Sequence, residues 1–225
     1  MSTFNLQALR ARLDQGVDAM ALEIAPETRE KLLEYLALVH KWNKVHNLTA
    51  VREPEDMVTL HLLDSLAVLP YIKAERLLDV GSGAGLPGIP LALCLPGMKV
   101  TVLDSSQKKA SFMRQAKAEL DIGNLEVVCG RVEQFKPEEP FDIIISRAFS
   151  DLNLFTGLTA HLCKPHGQWL AMKGVYPHDE LAQIVIRPER VLPLVVAGLQ
   201  AQRHLVFLPF NQEDAHHENT QSEAA

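Results

Sequence analysis

Two acids and a run of glycines carry the sharpest chemical signal in the sequence. The run is Asp79-Val80-Gly81-Ser82-Gly83-Ala84-Gly85-Leu86-Pro87-Gly88, directly after the apolar pair Leu77-Leu78. Glycines at this spacing let a chain leave a buried strand, turn tightly and approach a ligand with no Cβ in the way. A helix starting near Pro87 would offer free N–H groups to a carboxylate or phosphate. Two ligand classes share the pattern. Gly83 to Gly88 satisfies the dinucleotide spacing G-x-G-x-x-G. Counted from Gly81, the first residue after the strand, the run reads D-x-G-x-G-x-G, the spacing of an S-adenosylmethionine (AdoMet) site. Such fingerprints begin where the strand ends, so this register is the favoured one, with a plain turn as the bland alternative.

The second acid, Asp104, closes the next apolar run, Val100–Leu103. A carboxylate there can accept both hydroxyls of a ribose; its other use would be to cap the helix that follows Ser105. NAD and AdoMet both carry that ribose, so Asp104 points to a nucleoside without naming it. Arg147 follows the run Phe141–Ser146 at its C-terminal end, where open α/β sheets bind ligands. His61 and Asp64, three apart, share a helix face and could position a substrate, close over a cofactor, pair with each other or cap a turn. The basic set Lys108, Lys109, Arg114 and Lys117 sits on one predicted helix, where a solvated face is favoured over RNA contact. No Gly-Lys-Ser/Thr is present, which excludes a P-loop. There is also no Tyr-x-x-x-Lys, Ser-His-Asp order, metal-ligand spacing or reactive-cysteine motif.

The elements that must hold these residues follow from hydrophobic period. Thr28 to His46 places Leu32, Leu33, Leu36, Val39 and Val45 at helical spacing. Glu55 to Leu69 does the same with Met57, Val58, Leu62, Leu66 and Leu69, after Pro54 as a start signal and before Pro70 as a stop. The run Asn43…Asn47-Leu48-Thr49 looks like a helix C-terminal turn. From Arg76 onward short apolar runs, Leu77–Val80, Val100–Leu103, Leu125–Val128, Phe141–Ser146 and Gln168–Met172, alternate with helix-length segments, Ile89–Leu95, Ser106–Leu120 and Asp151–Leu162. That alternation means βαβ units and a parallel sheet covered on both faces. Val191–Val196 and His204–Leu208 would close it as a pair of edge strands. The expectation is an α/β, Rossmann-like, doubly wound domain over residues 73–210, a helical extension over 1–72 and an acidic, disordered tail over 211–225.

Composition narrows the setting. The chain has 225 residues, 47% hydrophobic, with no apolar run long enough for a membrane helix. The first residues are too polar for a signal peptide. Cys94, Cys129 and Cys163 are odd in number and far apart, as in a reducing compartment, so a cytoplasmic protein is expected. The net charge of −6 speaks against a polyanionic partner, but residues 211–225 hold four of the 28 acids and no Lys or Arg. The rest carries 22 basic against 24 acidic residues, so non-specific phosphate attraction is weak while a local basic face stays possible.

Read together, these residues resemble the bacterial small-subunit ribosomal RNA guanine-N7 methyltransferases, the glucose-inhibited division protein B (RsmG) family. The likeness runs from about Leu33 to Gly174. It rests on Trp42-Asn43, Asn47-Leu48-Thr49-Ala50, His61-Leu62-Leu63-Asp64-Ser65-Leu66, Leu103-Asp104-Ser105, Arg131-Val132-Glu133 and Ser146-Arg147-Ala148. Above all it rests on the continuation of the glycine run into Leu86-Pro87-Gly88-Ile89-Pro90-Leu91-Ala92. Both ends of the chain depart from the pattern. The resemblance implies a class I AdoMet-dependent fold with a mostly parallel seven-stranded sheet, and 16S ribosomal RNA or a small-subunit ribonucleoprotein as partner. It implies that Gly81, Gly83 and Leu86 line the cofactor site beside Asp104, that Val132 and Glu133 meet the adenine, and that Arg147 pairs with the methionyl carboxylate. Val132 could instead be core, and Glu133 could cap a turn.

Guanine N7 carries an exposed lone pair and the sulfonium of AdoMet is an activated donor, so transfer needs alignment and no general base. Should a base exist, His61, Asp64, Glu133 and Asp142 are the candidates. The base must be reachable, in a single strand or drawn out of its stack. Two rival functions are an NAD-dependent oxidoreductase and a non-catalytic RNA-binding or assembly factor that keeps the fold. The oligomeric state is open, with a monomer expected.

Overall fold

Asn5 accepts a hydrogen bond from the Ala8 N–H, and α1 (Leu6–Ala19) starts from that cap. This and all that follows comes from a computed structural model, which describes residues 4–147, 149 and 151–210. The acidic tail lies outside the described residues. In α2 (Pro26–His46) Pro26 takes the first position and Asn47 ends the helix in the left-handed region at φ 47°. Asn43 fixes the exit, its amide bonded to the Val51 carbonyl and the Thr49 N–H, so the Asn43…Thr49 run is the helix C-terminal turn that the sequence suggests. Leu32, Leu33, Leu36 and Val39 are buried as the period requires, but Val45 is 75% exposed.

The segment expected as one helix over Glu55–Leu69 differs in kind. It runs as α3 (Pro54–Met57), a π-helical stretch Val58–Leu63 and α4 (Asp64–Leu66), and it ends four residues before Pro70. Pro70 lies in a short 3-10 turn, Leu69–Tyr71. π-helical insertions are rare and gather at functional sites.

β1 (Arg76–Val80), α5 (Gly88–Cys94), β2 (Lys99–Asp104), α6 (Gln107–Glu119), β3 (Leu125–Cys129), β4 (Phe141–Ser146), α7 (Leu152–Thr159) and β5 (Cys163–Lys173) form the alternating part. α8 (His178–Gln183), β6 (Arg190–Pro193) and β7 (His204–Pro209) follow. The strand order is β3-β2-β1-β4-β5-β7-β6. The first five are parallel, β7 runs antiparallel to β5, and β6 antiparallel to β7. The expected edge pair is thus one edge strand, β6, with β7 inserted between it and β5.

Side chains alternate across this sheet. Leu77, Val100, Val102, Ile143, Ile145, Leu205 and Phe207 join an apolar cluster with α1, α2, the 54–68 segment, α5 and α6. Leu78, Val80, Ile144, Trp169 and Val206 face the other way, against Leu152 and Phe155 of α7. Among the described residues no helix is long and apolar enough to cross a membrane. All three cysteines are free, and burial pushes the Cys94 and Cys163 thiols up to about 12, which leaves no thiolate there.

Candidate cofactor and substrate site

The glycine run turns between β1 and α5 with Gly81, Gly83 and Gly85 all at positive φ. Gly88 has a different reason to be glycine. A Cβ there would stand 2.4 Å from Val102 Cγ1 and 2.8 Å from Asp79 Oδ2, so only glycine lets α5 approach β2 this closely. The Gly88 N–H donates to Asp79 Oδ2 at 2.8 Å, and the Ile89 N–H donates to the Gly85 carbonyl at 2.7 Å. The anion expected at this helix start is therefore the protein's own Asp79, and these first N–H groups are already taken.

Asp79 is fully buried and its Oδ1 has no hydrogen-bond partner. Burial pushes its carboxyl up to about 7, against the opposing pull of the Gly88 N–H and of the Arg147 charge. Tyr35 of α2 donates its hydroxyl to the Ala84 carbonyl at 2.6 Å and so holds the turn from outside.

Asp104, also buried, accepts from the Gly83 N–H and the Ser106 N–H, both at 2.9 Å, with Lys109 Nζ at 3.4 Å. It braces the turn and the start of α6 at once, so part of the capping role weighed from sequence is present. Oδ1 keeps lone-pair capacity for a further donor, while Oδ2 already takes both the Gly83 N–H and Lys109. A cavity of about 410 Å³ opens beside it, lined by Gly81, Asp104, Lys109, Val132, Glu133 and Phe149 among others. Val132 lines this cavity and also packs in the apolar cluster on the α7 side, as its core reading expects; Glu133 is exposed at the rim. Leu86 is elsewhere, buried in the apolar cluster under the turn and not among the lining residues. Gly83 contributes its N–H to Asp104 and leaves open space on its Cβ side.

The family of rRNA small subunit methyltransferase G matches residues 28–206. The chain belongs to that family. Membership makes it an AdoMet-dependent methyltransferase. Curated relatives at 50% identity and above carry the name ribosomal RNA small subunit methyltransferase G. That of Methylobacillus flagellatus is 62% identical, over 91% of this chain and all of the relative. That of Aromatoleum aromaticum is 52% identical, over 89% and 99%. The fold is that of class I methyltransferases. The O-methyltransferase of Bacillus cereus, solved in complex with SAH, superposes with a TM-score of 0.58 at 19% identity, covering 92% of this chain and all of that one. TomG of Streptomyces achromogenes, solved with SAM, gives 0.56 at 18%, covering 88% and 96%.

A second cavity of the methyltransferase, about 380 Å³, lies along the same sheet edge over β4, β5 and β7. Arg147 lines this cavity and not the first. Its Nη1 donates to the Leu60 carbonyl at 3.1 Å and to Asp64 Oδ2 at 3.2 Å. Asp64, 2% exposed, holds Arg203 Nε at 2.7 Å through its other oxygen. His61 lines the cavity too; its carbonyl accepts from the Asp64 N–H, but no hydrogen bond joins its ring to the Asp64 carboxylate. Lys173 donates to Glu180 at 2.7 Å and to the Phe149 carbonyl at 3.0 Å, which ties the second cavity to a residue lining the first.

Sequence reasoning passed over Lys173 and Arg203. Lys173 ends β5 as Arg147 follows β4, so the strand-end rule would have found it. Arg203 precedes β7, and only the antiparallel pairing Lys173↔His204 brings it to this edge. Asp142, a candidate base, is ruled out by position. It accepts from the Glu75 and Arg76 N–H groups and from Lys164, which hold its carboxyl below the usual carboxylate range despite burial, at the opposite end of the strands. On α6, Lys109 turns to Asp104 while Lys108 and Arg114 are exposed, so the basic set does not form one face.

Proposed function

We propose that the protein transfers the AdoMet methyl group to N7 of a guanine in 16S ribosomal RNA, free or within the small-subunit ribonucleoprotein. The observation that supports this best is the buried Asp104 carboxylate between the glycine turn and the first cavity, with a cation-lined cavity beside it. In this reading Asp104 takes the ribose hydroxyls in place of Lys109, and Gly81 and Gly83 let the ligand lie against the turn. Val132 and Glu133 flank the adenine, Leu86 shapes the turn from beneath, and Arg147 exchanges Asp64 for the methionyl carboxylate. AdoMet supplies an activated methyl group; the residues supply alignment. The target base enters the second cavity, close to Arg147. The cytoplasm, where ribosomal subunits are built, is the compartment this reading requires, and a monomer suffices for it.

Calorimetry and single-turnover methyl transfer test the reading. Asp104→Ala should lose about 1.5–3 kcal/mol of AdoMet binding, the range for charge-assisted hydrogen bonds. Asp104→Asn, which keeps an acceptor for the Gly83 N–H, should recover the fold of the turn without restoring affinity. Unchanged affinity in both variants would sink the cofactor assignment. With small-subunit RNA and saturating AdoMet, the rate should be nearly flat from about pH 6 to pH 9, since N7 has no proton to shed. His61 cannot introduce a slope there, because burial and the Arg147 charge hold it down at about 4. A rise of unit slope that vanishes in an Asp64 or Glu133 variant would reveal a general base and remove the N7 assignment. A step near pH 7 that vanishes only in Asp79→Asn would report the turn instead.

A further inference from the structure

His61 stands on the π-helical stretch at the wall of the second cavity with 4% of its surface exposed, and neither Nδ1 nor Nε2 has a hydrogen-bond partner. Buried polar groups without partners are uncommon and each calls for a reason. The neighbouring groups are already engaged. Asp64 holds Arg147 and Arg203, and the Leu60 carbonyl accepts from Arg147. Burial and the Arg147 charge outweigh the Leu60 carbonyl and Asp64, so the ring is held neutral until the pH falls toward about 4. A neutral imidazole keeps one donor and one acceptor.

Guanine presents N7 and O6 side by side on one edge, both as acceptors, whereas adenine replaces O6 with an amino donor. An enzyme that aligns N7 with a methyl donor therefore meets O6 as well. A cation held against O6 would draw density from the N7 lone pair and blunt the nucleophile. A neutral N–H reads the same atom with less of that penalty. The cations of the cavity are committed elsewhere, Lys173 to Glu180 and the Phe149 carbonyl and the two arginines to Asp64.

We propose that His61 reads the target base, donating one ring N–H to guanine O6 in the second cavity, and so sets guanine over adenine. This rests on the guanine-N7 reading above. The first experiment compares small-subunit RNA carrying guanine or adenine at the target, by single-turnover transfer at saturating AdoMet, for the wild type, His61→Ala and His61→Gln. The wild type should strongly prefer guanine. His61→Ala should narrow the guanine-to-adenine rate ratio by roughly ten- to a hundredfold, and His61→Gln, which keeps an N–H donor, should restore most of it. An unchanged ratio in His61→Ala overturns the proposal even where the absolute rate falls. The second experiment needs no turnover and uses the unaltered chain. Guanosine monophosphate should shift the His61 ring-nitrogen resonances, while adenosine monophosphate and inorganic phosphate should leave them in place. Indifference to guanosine monophosphate, or an equal response to adenosine monophosphate, overturns it. A wild type that transfers no methyl group to either RNA breaks the guanine-N7 reading instead, and the nucleotide titration then decides on His61 alone.

Discussion

Asp79 shows how one residue can satisfy a motif and serve a purpose the motif does not state. Its spacing to Gly81 marks the register, but its carboxylate occupies the helix start that a ligand anion was expected to fill. That choice has a consequence in pH. Its folded-state value is raised from 3.8 to about 7, so between those values the folded chain binds more protons than the unfolded one. Stability from this group is greatest below about pH 4, falls as the pH rises toward 7 and is level above. His61 acts oppositely: its folded value is depressed from 6.5 to about 4, so its contribution is present above pH 6.5 and lost as the pH falls through about 4. The two partly cancel in the wild type, and only a difference isolates Asp79. Asp79→Asn should gain stability relative to the wild type steadily from pH 4 to pH 7, by denaturant midpoint, with no further gain above. A difference that is constant over that window would mean that Asp79 is ionised throughout. At this scale Gly81 and Asp104 were legible because one follows the last residue of β1 and the other is the last residue of β2, and strand ends are visible in the apolar period. The pairing of Arg147 with Asp64 was not, because it joins residues 83 apart through a helix the pattern could only place, not aim.

At the scale of elements, β1 to β4 and the helices between the strands lie within three residues of their expected bounds, because short, uninterrupted apolar runs mark such strands. But β5 starts at Cys163, five residues before the expected Gln168, since Lys164, Pro165, His166 and Gly167 break its apolar run. The misses have physical causes too. Five of the six residues of the π-helical stretch Val58–Leu63 are buried, so no exposed face marks its wider turn in the sequence. α8 buries none of its residues and offers no period to read. β7 is apolar enough to sit inside the sheet, but its neighbours are a matter of long-range pairing. The helical extension also proves to be part of the site's scaffold. α2 reaches the glycine turn through the fully buried Tyr35, whose hydroxyl burial pushes well above its usual range and so keeps as a donor to the Ala84 carbonyl. Tyr35→Phe keeps the ring and its packing near Phe112 but leaves that carbonyl without its donor. The expected cost is about 1–3 kcal/mol of stability, with a further loss of AdoMet affinity as the turn loosens, measured by thermal midpoint and calorimetry. A variant that loses stability while binding AdoMet as tightly as the wild type would show that α2 supports the fold and not the turn.

Over the whole molecule the question is whether the two parts suggested by sequence, residues 1–72 and 73–210, are separable. One apolar cluster crosses that boundary. It holds Leu9 and Leu13 of α1, Leu32, Leu33 and Leu36 of α2, and Met57, Leu62 and Leu66 of the segment that follows, together with Ile89 of α5, Phe112 of α6 and Phe207 of β7. Removing the first part would leave that face of α5 and α6 bare to water, at roughly 25 cal/mol for each Å² of apolar surface exposed. It would also remove His61 and Asp64 from the second cavity and the Tyr35 hydroxyl from the turn. The chain should therefore unfold as one cooperative unit, with the calorimetric enthalpy equal to the van't Hoff enthalpy in a single heat-capacity peak. A fragment of residues 73–210 should be insoluble or lack fixed tertiary structure by near-ultraviolet dichroism, and AdoMet should not rescue it, because the turn proposed to hold the cofactor is braced from α2. Two resolved transitions in the full chain, or a soluble fragment that binds AdoMet with the affinity of the whole, would make the first seventy-odd residues a detachable cap and the boundary read from sequence a true domain border.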